Sequence, residues 1–290
     1  LTDTKKRSFN EGKRQFKKNK KLKVVSDWPE GTHDEVLLND VRNLLSRLDL
    51  AKTSSEESHD NEAALPEKFT EVDLDIVELS STGDGLGVLP GSFRVVVVPF
   101  TVPGDRVTAK LIRHDPQEPI TSADFVRVLQ PSERRDDTRI KCQYFAKCSG
   151  CQFQMMERAD QLRHKKTIIE RAYRHFSKLP ASSVPSVGET QHGEREYGYR
   201  TKLTPHFDAP PQPRKDRRKG IKVTWEKVPP IGFMQKGTRR TIDIEDCPIG
   251  TAAVRRGIQC ERERVTASIH SYRRGATLLC REHTTPLPPP

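Results

Sequence analysis

The sequence predicts an α+β protein in which a small closed or nearly closed β-barrel is followed by an α/β domain. Three observations lead there. From Glu71 the chain alternates and runs Val-rich between Gly and Pro turns, residues 155–179 space their apolar side chains as a helix does, and strand-like segments return after residue 200. No run approaches the 18 or more apolar residues of a membrane helix, and the chain does not open on an apolar signal segment, so an intracellular protein without membrane attachment is expected.

The first 23 residues carry ten Lys or Arg and two acids, and read as a disordered basic arm. Residues 24 to 67 carry three basic residues against eleven acids, so the two flanks cancel. The part from residue 68 onward therefore holds the whole net charge of +11, which favours a polyanionic partner. Within the acidic flank, Leu37, Val41, Leu44, Leu45 and Leu48 form one helical stripe over residues 34–50, suited to packing on the body or on a partner. A polar, Ser/Glu-rich linker follows.

The barrel strands are expected in VDLDIVEL, STGDGLGVLPG, FRVVVVPFTVPGD, RVTAKLIR and ADFVRVLQP. Gly83, Gly85 and Gly87 superficially suggest a dinucleotide fingerprint, but a turn and a strand follow them where that fingerprint needs a helix. Hairpin bends account for them instead. In the helix at 155–179, Leu162, Ile169, Ala172, Tyr173 and Phe176 mark the side expected to face the core, and Arg163, Lys166, Arg171 and Arg174 the basic side. TKLTPHF, KVTWEKV, PIGFMQK and TIDIED then read as strands of a second sheet, the first two separated by the Pro and Arg/Lys-rich loop DAPPQPRKDRRKG.

Six cysteines occur without a secretory signal, which disfavours a disulfide framework. Cys142, Cys148 and Cys151 lie within ten residues, with Gly150 allowing tight curvature, and Cys247 stands apart in DCPIG. Three clustered thiols and a distant Cys-Pro suggest iron-sulfur ligation; zinc is the alternative, although structural zinc sites usually use two close pairs. Cys260 and Cys280 receive no role.

CQYFAKCSGCQFQMMERADQLRHKK, with its triple Cys, the Gln152 that follows, and the trailing QLxxKK, resembles the uracil-5 RNA methyltransferases, and among them the fungal tRNA enzymes that act on a T-loop uridine. YGYRTKLTPHF and IGFMQKGTRRTIDIEDCPI resemble the family's central blocks in the same order, and the Gly/Val-rich segment ending in PSERR is similar to its TRAM barrel. The resemblance runs from about residue 70 to about 283 and implies a TRAM-type (OB-like) barrel over 68–133 and a central α/β domain over 134–283; composition places the basic arm, short helix and acidic linker over 1–67 and a Pro-rich end at 284–290. A C-terminal Rossmann-like domain binding S-adenosylmethionine is expected to be absent, since its motifs do not occur and the chain begins with Leu and ends in TTPLPPP; the chain alone would then be inactive.

By the same resemblance a 4Fe-4S cluster would be held by Cys142, Cys148, Cys151 and Cys247, and neither the nucleophilic Cys nor the general base of the reaction would lie in this chain. The implied partner is tRNA and the implied state a monomer. Arg200 and Lys202 are candidate phosphate contacts, Tyr199 and Phe233 candidate stacking rings, and Arg214, Arg217 and Arg218 electrostatic candidates in the basic loop. The runner-up reading is a non-catalytic RNA-binding protein with a structural metal site.

Overall fold

The computed structural model describes residues 31–52, 65–221 and 224–285. The basic arm, residues 53–64 of the acidic linker, the Pro-rich end beyond 285 and the side chains of Arg214 and Arg217 lie outside that description. Helix α1 (His33–Lys52) precedes five strands, β1 (Glu71–Leu79), β2 (Gly85–Val88), β3 (Val95–Val98), β4 (Arg106–His114) and β5 (Ile120–Gln130). They close into a barrel in the order β1-β2-β3-β5-β4, in which only the β3–β5 pairing is parallel.

The barrel explains why β3 is four valines in a row. Val96 and Val98 point inward with Leu74, Ile76, Leu89, Val107, Ala109, Leu111 and Ala123. Val95 and Val97 point outward, where Leu37, Val41, Leu44, Leu45 and Leu48 of α1 cover them together with Leu86. A strand buried on both faces loses the alternation of a half-exposed one. The stripe on α1 thus packs on the body. The glycines of the rejected fingerprint serve close approach: Gly83 sits at φ +89°, and a Cβ on Gly87 would come within 2.3 Å of Leu74 Cδ1.

After β5, Asp105 receives N–H bonds from Val102 and Ser132 at 2.9 Å and an ion pair from Arg135 at 2.9 Å, all out of solvent. This fastens the barrel's exit to the next region. Helix α2 (Arg158–Phe176), short strands β6 (Lys202–Leu203) and β7 (His206–Phe207), helix α3 (Arg214–Arg218), strands β8 (Gly232–Met234) and β9 (Thr241–Asp243), helix α4 (Ala252–Ser268) and strands β10 (Ala276–Thr277) and β11 (Cys280–Arg281) complete the order. The sheet is β10-β7-β8-β9, with β11 and β6 forming a separate pair.

Three expectations change. Described residues 224–228 of KVTWEKV form no strand; Trp225 instead buries its ring against Phe207 and donates its indole N–H to Tyr272 O at 2.7 Å. Helix α4 was not anticipated: Thr251 caps it by accepting from Val254 N, and Val254, Ile258 and Val265 bury one face. Helix α2 is turned from the expected orientation, although Arg163 and Arg174 stay exposed and Leu162 and Phe176 half-buried. Its buried residue is Asp160, Arg171 turns toward the barrel, and Ile169 and Tyr173 are 48% and 37% exposed. The reason is the surface it meets, where Leu79 O, Glu78 and the buried Asp40 carboxylate demand a cation rather than a hydrocarbon. No helix of the described residues is long and apolar enough to cross a membrane.

Candidate metal centre and adjoining cleft

The loop from Cys142 to Cys151 is wound tightly by its own backbone. Phe145 N bonds Cys142 O, Cys148 N bonds Tyr144 O, and Ala146 takes a left-handed φ of 62° between them. The loop is docked on both sides. Phe145 meets Phe100 of the barrel edge-on at 5.4 Å, and Cys148 bridges Gln235 while Ser149 N bonds Met234 O and Lys236 N bonds Lys147 O. On the far side of the β8–β9 hairpin, Glu245 N bonds the Tyr144 hydroxyl at 3.2 Å, which brings the Asp246–Gly250 turn and its Cys247 to the same place.

The structure therefore gathers Cys142, Cys148, Cys151 and Cys247, and separates the other two. Cys260 is exposed on α4 and Cys280 is buried among Leu203, Val254 and Ile258. Burial raises the pKa of the Cys142, Cys148 and Cys247 thiols, that of Cys247 to about 11, and negative charge on the neighbouring sulfurs raises each further. Gly150 N–H also donates to Cys148 Sγ at 3.4 Å. Among the described residues no group of three or more His, Cys, Asp or Glu side chains already stands at metal-binding positions. The donor chemistry still suits a thiophilic metal, because soft thiol donors lose their protons on binding one.

The turn from Ser80 to Asp84, joining β1 to β2, is a meeting point. Asp40 of α1 accepts from Ser81 N at 2.5 Å, and Arg171 of α2 donates to Leu79 O at 2.9 Å and to Asp40 at 3.2 Å. Gln152, next to Cys151, donates to Thr82 O at 3.0 Å, and Lys236 of the β8–β9 hairpin pairs with Asp84 at 2.8 Å.

Beside this turn opens a cleft of about 1200 Å³. Its walls are α2, the segment 191–201 and the Gly150–Gln154 stretch. His164 lines it from α2, its ring edge-on to Phe153 at 5.5 Å. Burial, and then the Arg171 guanidinium, lower its pKa to about 4, so the ring is neutral at pH 7.

Of the RNA-contact candidates, Tyr199 lines the cleft at 52% exposure, and Arg200, Lys202 and Arg218 are exposed. Phe233 is half-buried and packs against Leu203, Val254 and Ile258, so its ring belongs to the core. Arg214 and Arg217 fall in α3, with side chains outside the description. Sequence reasoning missed Arg158, Gln161 and Lys165, which line the cleft from α2 at spacings of three and four; that helical interval was the available signal.

No family model matches the chain. Over 276 residues, 95% of its length, it is 41% identical to a tRNA (uracil(54)-C(5))-methyltransferase of Schizosaccharomyces pombe, and over 275 residues 32% identical to the Saccharomyces cerevisiae protein of that name. A 23S rRNA (uracil(1939)-C(5))-methyltransferase of Burkholderia thailandensis is 29% identical over 188 residues. The chain spans 47% and 40% of the two fungal proteins.

Proposed function

The chain belongs to the uracil-5 RNA methyltransferase family, and on that basis we propose that it is the RNA-handling, metal-carrying portion of an enzyme that methylates uridine C5 in the T-loop of tRNA with S-adenosylmethionine. The observation that carries this reading is identity of 41% sustained over 95% of the chain. In the proposed layout residues 68–133 are a TRAM-type barrel and 134–283 the central domain, acting inside the cell as a monomer on tRNA.

The family resemblance supplies the chemistry: a thiolate adds to C6 of the base, C5 takes the methyl group, and a carboxylate removes the C5 proton. Cys142, Cys148 and Cys247 are proposed as metal ligands rather than as that nucleophile, because the family resemblance matches them to its cluster-ligand positions. With Cys151 they would hold a 4Fe-4S cluster, whose contribution is to tie the 142–151 loop to the turn at 247 and so fix the central domain beneath the barrel. Arg200, Lys202 and Arg218 are proposed as phosphate contacts.

Anaerobic purification followed by iron, sulfide and zinc assays tests the metal. About four irons and four sulfides per chain, lost in Cys148→Ser, are expected. One zinc per chain would replace the cluster by a structural zinc site, and folded protein with no metal would remove the metal from the proposal.

A further inference from the structure

The cleft beside α2 is larger than the roughly 300–1,000 Å³ of small-molecule sites, so its dimensions fit an extended occupant. Its polar groups sit on both walls. Lys165 projects from α2 and Arg195 from the opposite segment, and among the described residues neither has an ion-pair partner. Arg158 is also uncompensated by a carboxylate: it donates to the carbonyl oxygens of Glu194 and Gly193 and meets the His192 ring, which holds that wall in place. Thr190 Oγ1 donating to Leu162 O and the Lys166–Glu189 pair fasten the same wall further along.

Tyr199 lines the cleft and is half-exposed, and Arg200 and Lys202, which follow it closely in the chain, are exposed. Glu194, Glu196 and Glu282 also line the space, Glu196 paired with Arg139. A cleft of cations alone would accept any polyanion; carboxylates among them suit base amino groups and penalise indiscriminate phosphate binding. The outer side of β1 contrasts with this. Glu71, Asp73 and Asp75 are all exposed there, so that face of the barrel repels phosphate.

We propose that this cleft seats a short unpaired RNA strand, with Tyr199 as a stacking platform and Lys165 and Arg195 as phosphate contacts from opposite walls. An intact duplex keeps its bases paired and stacked, whereas an unpaired strand offers both ring faces and phosphates to the same surface. The inference rests on the RNA-handling reading and adds to it where on this chain the strand lies and that it is single-stranded.

The test is fluorescence anisotropy of the full chain with a fluorescein-labelled uridine-rich 10-mer, the same 10-mer annealed to its complement, and whole tRNA. The single strand is expected to bind at least about tenfold more tightly than the duplex. Tyr199→Ala is expected to weaken it about tenfold and Tyr199→Phe to restore it. The Lys165→Ala, Arg195→Ala double variant is expected to lower the salt slope by about 1.4, two phosphates' worth on a single strand. Equal affinity for strand and duplex, or strand binding unmoved by all three variants, would overturn the cleft assignment while leaving RNA handling intact. Failure of the chain to bind either tRNA or the strand would overturn the RNA-handling reading itself.

Discussion

In the barrel, β4 and β5 run nine and eleven residues and pair along most of their length, whereas among the described residues no strand after residue 200 exceeds three residues. The barrel surrounds one interior of nine buried apolar residues and has no open edge. The later region divides its apolar side chains among separate small clusters, around Phe207 and around Leu203, and relies on particular fasteners between them. Arg262, for example, bonds Ile231 O, Ile244 O and both oxygens of Asp243. Burial is non-directional and spreads its contribution, while a fastener concentrates stability at one atom and fails when that atom goes.

The largest effect expected from this difference is at Arg171. Replacing it by Ala leaves Asp40, whose side chain is 1% exposed, without its cation. A cost of about 3–5 kcal/mol is expected, as for breaking a buried pair. Hydrogen exchange should show α2 losing protection while β3 and β4 keep theirs; equal loss in β3 would show that barrel and helix open as one unit. Next is Leu111→Ala, at 0% exposure inside the barrel. It should cost about 2–5 kcal/mol in urea unfolding, with protection lowered evenly over all five strands.

The smallest effect is one of pH. His164 has its pKa lowered to about 4 in the folded chain, against 6.5 for the free side chain. As pH falls below 6.5 the unfolded chain takes up the proton and the folded one does not, so stability present above 6.5 is lost down to about 4. The loss should be on the order of 2 kcal/mol, reduced from the full linkage value because the ring is only partly removed from water. The urea midpoint should fall less between pH 7 and pH 4.5 in His164→Gln than in the natural chain. An equal fall in both would exclude this ring as the source.

What could be read in the sequence follows the same division. Alternation, valine runs and glycine bends are local signals, and they located the barrel and α1 correctly. The grouping of Cys142, Cys148, Cys151 and Cys247 came from spacing and thiol chemistry; their charges interact in the fold, but no group of them stands at metal-binding positions among the described residues. The face of α2 was not legible, since a helix with apolar and basic sides can bury either, and only the carboxylate and carbonyl groups of the neighbouring barrel rim decide. Helix α4 was hidden because charged residues crowd between Val254, Ile258 and Val265, thinning the periodic signal. KVTWEKV has strand-forming residues, but β-propensity describes a fit to neighbouring strands, and here Trp225 finds a core and a carbonyl instead.

The doubly buried β3 also bears on how the chain is made. FRVVVVPF is a short, β-prone and nearly uncharged segment, the composition that seeds intermolecular stacking when left bare. Its outward valines are sheltered by α1, which lies earlier in the chain and so leaves the ribosome first. The helix is thus an in-built guard against self-association, ready before the segment it protects has been synthesised.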